Sequence, residues 1–364
     1  MKKILSLVLA VMMVVTFIAG CTSDEPSPSA QEQEPAESLD SETPAPANND
    51  ETSELVLAWF FPAPHPYGDA VQEGVRKFEN ETGISVIQQI GSDWTQSTMN
   101  TRVEALAAQG IDGLAAFPAD AAGTNALFEE LTNQGIKVLT YGAPVMQPTT
   151  ASFAVATDVK QAAYDATKYL IQLMGEEGNI LNVLEVLVDP NTVLRKEGVE
   201  LAVSEYPNVN IIQEVADITT TEEAVLKIEA ALSANVGQID GIITTGFIAT
   251  VGAVQVLTDF YERTDMETNK IFAIGIDTDP IINEAIEKGI LDATISQNPV
   301  GHGYIPLYIL RLMIEQDYRP RAGTYFIDAG TVVVTRDNLD SFQADIDMVT
   351  ERILARLTTD YLER

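Results

Sequence analysis

Residues able to grip a small hydroxylated molecule recur in this chain just past short apolar runs. His65, Pro66 and Tyr67 follow the run Leu55–Phe60, with Gly74 further along. Asp189, Asn191 and Arg195 follow a run ending near Leu187, and Gly198 comes three places later. Asp277 closes Phe272–Ile276, and Gln297 closes Ala293–Ser296. An aspartate can accept from two hydroxyls while an arginine donates to two others, so a guest rich in both donors and acceptors satisfies the pair. Tyr67 adds an apolar face with a polar edge. Buried charge is costly unless paired, so Asp277 and Arg195 at strand ends require either a mutual salt bridge or a polyhydroxyl ligand. Each residue also has a plainer reading, since an aspartate after a strand commonly caps a helix.

Catalytic chemistry has little support. The chain has no P-loop, no G-x-S-x-G elbow, no H-E-x-x-H and no glycine-rich dinucleotide fingerprint. Its only histidines, His65 and His302, lie far apart, so a metal or a Ser-His pair would need long-range convergence. A binding protein without cofactor or metal is the expectation, and not an enzyme.

The elements that must position these residues follow a strand–helix rhythm. Apolar runs without alternation at 55–60, 84–90, 113–117, 136–141 and 153–156 read as strands covered on both faces. A second set follows at 180–187, 209–214, 241–245, 271–276 and 293–297, with helices near 194–205, 222–234, 249–261 and 281–288 between them. Val71, Val75 and Phe78 at helical spacing before Gly83, and Val103 with Leu106 and Ala107, mark two helices of the first set; a third lies near 121–133. The fold class is α/β, with two similar, doubly wound parallel-sheet lobes. In such sheets ligands sit beyond the carboxyl ends of the strands, so a cleft between facing lobes gathers both sets of ends. Phe60 and Phe61 read as packing. Ile346, Val349, Ile353, Leu354 and Leu357 recur at helical spacing near the end of the chain, predicting a C-terminal helix over 346–364 that packs on a lobe or meets another protein.

Residues 1–54 indicate where the protein works. Lys2 and Lys3 precede an apolar run from Ile4 to Gly20 that stops at Cys21, the only cysteine. A basic start, an apolar stretch and small residues at its end make a secretory signal. Ile18-Ala19-Gly20-Cys21 resembles a bacterial lipobox, which implies lipidation of Cys21 and an extracytoplasmic protein anchored to the cell membrane. An uncleaved membrane anchor is the alternative, since about 17 apolar residues just span a thin bilayer. Residues 22–54 hold ten acidic residues, five prolines and no Lys or Arg. Such a stretch cannot bury enough apolar area to offset its entropy, and reads as a spacer with a reach on the order of 30 Å. The rest keeps 44 of the 54 acidic and 19 of the 21 basic residues, a formal −25. A surface so acidic argues against nucleic acid or an anionic membrane face as partner, and fits either a saline habitat or plain solubility. With one cysteine, no disulfide forms within the chain.

Residues 55 to about 340 resemble the type I periplasmic sugar-binding proteins, the ribose- and galactose-binding group that serves ABC importers. The resemblance is carried by Gly110-Ile111-Asp112-Gly113-Leu114, Gln134-Gly135-Ile136-Lys137-Val138, Arg195-Lys196-Glu197-Gly198, Ala273-Ile274-Gly275-Ile276-Asp277 and Ala293-Thr294-Ile295-Ser296-Gln297, in that order. It implies three crossings between lobes, with one lobe from 55–156 plus about 298–327 and another from 157–297 plus about 328–345. It places the family's strand-end aspartate on Asp277, its hinge-side polar residue on Gln297 and its arginine on Arg195. Asp189 and Asn191 fall at hexose-contacting positions, while His65 and Tyr67 fall on the family's asparagine and first stacking aromatic. A small ligand closing the lobes about a hinge, then docking on an ABC permease in the membrane, is the implied mechanism.

The chain departs from that pattern in three places. Gly68 stands where a second aromatic is usual, Gly142-Ala143 replaces an Asp-Arg or Asn pair, and Gly246-Phe247 replaces an Asn-Asp pair. Such losses imply a changed or larger ligand, with Trp94 and Phe247 as candidates for the lost stacking area. A sensor presenting the same ligand to a membrane receptor, and a binder of a nucleoside or signalling furanone, are the rival readings.

Overall fold

The computed structural model describes residues 54–187 and 189–364; the basic start, the apolar run, Cys21 and the acidic stretch through Ser53 lie outside the described residues. The chain opens with β1 (Leu57–Phe61), α1 (Pro66–Thr82), β2 (Val86–Ile90), α2 (Gln96–Ala107), β3 (Gly113–Ala116), α3 (Thr124–Asn133), β4 (Lys137–Tyr141) and β5 (Ala154–Ala156). A second series runs α4 (Val159–Leu173), β6 (Gly178–Val183), α5 (Pro190–Ser204), β7 (Val209–Val215), α6 (Thr221–Ala234), β8 (Gly241–Thr244), α7 (Phe247–Arg263), β9 (Phe272–Ile276), α8 (Pro280–Lys288) and β10 (Ala293–Gln297). It is followed by α9 (Pro299–Glu315), β11 (Arg319–Pro320), β12 (Phe326–Asp328), β13 (Thr331–Val334), α10 (Phe342–Arg356) and β14 (Leu362–Glu363).

Two six-stranded sheets result, ordered β12-β5-β4-β3-β1-β2 and β13-β10-β9-β8-β6-β7. Every pairing in the first is parallel; in the second only the edge strand β13 runs antiparallel, against β10. The doubly wound α/β class expected from the apolar runs is therefore the architecture, with one antiparallel edge added. β1 shows why such runs carry no alternation. Leu57, Trp59 and Phe61 pack with Val71, Val75 and Phe78 of α1, and Ala58 and Phe60 pack on the opposite side with Met99, Val103 and Phe128. All five strand residues are buried, Phe60 and Phe61 among them, so both are core as expected. Each large side chain buried in this way contributes about 1.5–3 kcal/mol.

The strand order reverses between β1 and β3 in one sheet and between β6 and β8 in the other. These are the switch points beyond which an α/β sheet leaves a crevice. The chain passes between the sheets after β5, after β10 and between β12 and β13, and side chains tie the three passages together. Asp328 Oδ1 accepts from the backbone N–H of Asp158 at 3.1 Å and of Gly330 at 2.9 Å. The buried Asn298 donates to the Ala329 carbonyl at 2.8 Å and to Thr350 Oγ1 at 2.9 Å, and accepts from Gly301 N–H at 2.7 Å.

Two element boundaries differ from expectation in ways that matter. β6 ends at Val183 instead of Leu187, and α5 begins at Pro190 instead of Leu194. Residues 184–187 leave the strand, with Leu184 N–H bonding the Val215 carbonyl and Asp217 N–H bonding the Glu185 carbonyl, and Asp189 caps α5. At the end of the chain, the helix expected over 346–364 starts at Phe342, stops at Arg356, passes through one wide turn (Leu357–Tyr361) and finishes as β14. β14 pairs antiparallel with β11, and Leu357 and Leu362 bury their side chains in the core under the first sheet. Burial of those two leucines and the pairing with β11 override helical propensity. α10 itself packs through Ile346 and Thr350.

Candidate ligand-binding site

The first wall of the cleft is aromatic. His65, in extended backbone at the N-terminus of α1, accepts from Tyr67 N–H through Nδ1 at 3.1 Å. That cap carries the chain from β1 into the helix and leaves Tyr67 in its first turn, with its ring 6.3 Å from Phe61 and 6.5 Å from Phe117. Trp94 stands edge-on to Phe61 at 5.3 Å, to Phe117 at 5.5 Å and to His65 at 6.2 Å, with nearly half its surface exposed. The Tyr67 hydroxyl closes on Nδ1 of the buried His302 in a short hydrogen bond, and Nε2 of that ring has no partner among the described residues. Burial holds the His302 imidazole neutral, its pKa lowered to about 3.

Phe117, the residue directly after β3, was not singled out from sequence, yet it explains the missing Asp-Arg pair. Gly142, at φ +72°, lies so close under the Phe117 ring that a Cβ there would come within 2.5 Å of it. An aromatic ring occupies the place beside the strand end, and only glycine fits both the backbone angle and the contact.

The second wall is charged. Asp277 adopts a left-handed backbone, φ +67°, which costs a non-glycine residue on the order of 1 kcal/mol and persists only where the surroundings enforce it. Here its N–H bonds the Ile295 carbonyl at 2.8 Å, its own carbonyl accepts from Thr294 Oγ1 at 2.7 Å, and its Oδ1 accepts from Gln297 Nε2 at 2.7 Å. Burial raises the Asp277 carboxyl above the usual range, opposed by the Gln297 hydrogen bond and by the charges of Arg195 and His65. Arg195 lies one turn beyond Asn191 on the same face of α5. Its charge is felt by Tyr67, Glu185 and Asp277, but it forms no ion pair among the described residues. The Asp277–Arg195 salt bridge offered as one possibility is thus not made.

The walls face each other. The Tyr67 phenol is pushed up by burial first and then by the negative charge of Asp277, while Arg195 acts in the opposite sense. A tyrosine after β1 and an aspartate after β9 are therefore near neighbours, although they belong to different sheets. His65, Tyr67, Trp94, Arg195, Asp277 and Gln297 come together in this way. Asp189 is occupied otherwise: Oδ1 accepts from Asn191 N–H at 3.0 Å and Oδ2 from Thr192 Oγ1 at 3.5 Å, which caps α5. Phe247, the first residue of α7, is about one-third exposed and makes no aromatic contact with the first wall among the described residues.

Sequence reading also passed over Glu185. It lies beyond β6 at the second switch point, and its Oε1 accepts from the N–H groups of Ile248 at 2.8 Å and Ala249 at 3.4 Å, at the start of α7. Burial raises its pKa against the pull of those two hydrogen bonds and of Arg195. A lone acidic residue within Val183-Leu184-Glu185-Val186-Leu187 was the available signal, hidden by extending the strand through it.

Two doubly wound lobes with their strand ends converging on one cleft define a solute-binding protein. The chain belongs to the family described as periplasmic binding protein domain, whose model matches residues 60–317. A xylitol-binding protein of Mycolicibacterium smegmatis is 23% identical over 281 residues, 77% of this chain and 76% of the relative. Among solved structures, a periplasmic ribose ABC transporter protein of Conexibacter woesei superposes with a TM-score of 0.72 at 16% identity, covering 80% of this chain and 95% of the other. An ABC transporter solute-binding protein of Burkholderia graminis in complex with D-arabinose superposes at 0.68 with 20% identity, covering 79% and 97%. These solved structures share the fold of this chain.

Proposed function

We propose that this protein is an extracytoplasmic solute-binding lipoprotein, and no enzyme, that captures a sugar or sugar-like molecule by closing its lobes and delivers it to an ABC-type permease. The observation that carries the reading is Asp277, held in a strained backbone by Gln297, facing His65 and Tyr67 of the other lobe, with Arg195 nearby but unpaired with it. Ligand hydroxyls bridge the two charges while the ring of Tyr67 covers an apolar face. Bodies of about 55–156 with 298–327 and 157–297 with 328–345 move about the three tied passages, and a ligand that touches both walls favours the closed state by its differential affinity. Cys21 carries the lipid, and the acidic spacer holds the domain off the membrane. The xylitol-binding relative and the solute-binding structure in complex with D-arabinose support a polyol or sugar guest.

A second reading, a nucleoside or signalling furanone as guest, is favoured by the Phe117 ring set against Gly142, where an apolar face replaces polar anchors. A thermal-shift screen over pentoses, hexoses, inositol, polyols, disaccharides and nucleosides separates the two, because a ligand of the folded form raises its melting temperature. A shift with sugars or polyols that disappears in Arg195→Ala and Asp277→Ala supports the first reading. Normal binding by both variants places the site elsewhere, and recovery of an altered compound would make the protein an enzyme.

A further inference from the structure

Resting on the reading of this cleft as a sugar site, we propose that Glu185 determines its specificity and that the preferred guest carries an amine. Glu185 is built into the second wall. Its backbone carbonyl is fixed by Asp217 N–H at 3.0 Å, and its carboxylate is fixed by the first N–H groups of α7. The neighbouring backbone makes room for it: a Cβ on Gly246 would sit 2.2 Å from the Glu185 carboxyl carbon. Any side chain at 246 would evict the carboxylate, so the glycine at the head of α7 and the acid after β6 go together. Oε1 is used by the helix, while Oε2 has no partner among the described residues.

Charge counting gives the class of guest. Glu185 and Asp277 share a single guanidinium, that of Arg195, with His65 acting on Asp277 alone, and the charge of Asp277 opposes the ionisation of Glu185. On the opposite wall His302 is held neutral, and beside His65, which faces Asp277, the remaining surface is the rings of Tyr67, Trp94 and Phe117. A neutral polyol satisfies hydrogen bonds but leaves one buried negative charge uncompensated. An ammonium group supplies three donors and the missing positive charge, and the aromatic wall attracts a cation across the cleft. The geometry thus favours an amino sugar over its parent.

The test compares matched pairs, glucose with glucosamine and galactose with galactosamine, by calorimetry on the full chain at pH 7. The amino form should bind at least about tenfold more tightly than its parent, an advantage of about 1.4 kcal/mol. Glu185→Gln, which keeps an acceptor for Ile248 N–H, should bring the ratio of amino-sugar to parent-sugar affinity down to about one. Gly246→Ala should erase it too by displacing the carboxylate. In the unaltered protein the advantage should shrink as acid protonates Glu185. Parent sugars binding as tightly as amino sugars, or a preference that survives Glu185→Gln in a variant with an unchanged melting profile, would overturn this inference and leave the sugar reading intact. Failure of every sugar, amino or neutral, to bind would bring down the sugar reading and this inference with it.

Discussion

At the ends of β1, β2 and β3 the first lobe presents Tyr67, Trp94 and Phe117 around the buried Phe61, with Phe117 edge-on to the other three rings. At the ends of β6, β9 and β10 the second lobe presents Glu185, Asp277 and Gln297, with Arg195 from α5 beside them. The two sheets have the same strand order, so this contrast comes from side chains at corresponding places and not from topology. One wall contributes area and shape; the other contributes charge and direction. A guest held by only one of them would gain either stacking without orientation or hydrogen bonds without a covering face, and the proposed closure would supply both.

Acid separates the lobes most strongly. His302 is neutral in the fold, with its pKa lowered from 6.5 to about 3, so the unfolded chain binds a proton that the native one refuses. Stability from this group is complete above pH 6.5 and is lost as pH falls toward 3, a loss on the order of 5 kcal/mol over that range. The raised carboxyls of Asp277 and Glu185 have the opposite sign: their contribution is greatest at low pH and fades as pH rises through their raised values. Denaturant melts at pH 7 and pH 4.5 should show His302→Gln flattening the acid loss relative to the parent protein. An unchanged slope would mean that His302 is not the acid-sensitive group of the first lobe.

Changing the charged wall should cost affinity more than stability. Asp277→Ala is expected to weaken ligand binding about 100-fold or more, on the order of 3 kcal/mol, as measured by calorimetry. Asp277→Gly should lose as much affinity yet melt higher than Asp277→Ala, by about 1 kcal/mol, because glycine tolerates φ +67°. Equal melting of the two variants would show that the left-handed backbone at 277 stores no strain. On the aromatic wall, Trp94→Ala removes a half-exposed ring and should weaken binding by about 1 kcal/mol with the melting temperature almost unchanged. A loss as large as that from Asp277 would reverse the division of labour between the walls.

The smallest effect concerns a residue at the margin of the second wall. Asp189→Ala should cost about 1 kcal/mol of stability through loss of the α5 cap, with little change in affinity. A clear loss of affinity at unchanged stability would instead make Asp189 a ligand contact.

Much of this was legible in the chain. Apolar runs such as Leu57–Phe61 announce strands covered on both faces, and Asp277 and Gln297 close such runs in sequence as they do in space. Less legible were places where two distant segments decide one another. Phe117 matters because Gly142 lies under it, and Glu185 matters because α7, some sixty residues on, turns its first N–H groups toward it. The capping role of Asp189 was hidden because it depends on where the helix begins, and Pro190 begins it earlier than the apolar pattern implied.

By itself, then, the sequence determined the strand–helix alternation, the two sheets it must build and the strand-end residues available for a ligand, since period, turn residues and burial are local properties. Which of those residues share a site was decided by the tertiary structure alone. Tyr67 and Asp277 are far apart in the chain and influence each other only because two sheets close on one cleft, and electrostatic coupling depends on distance through space.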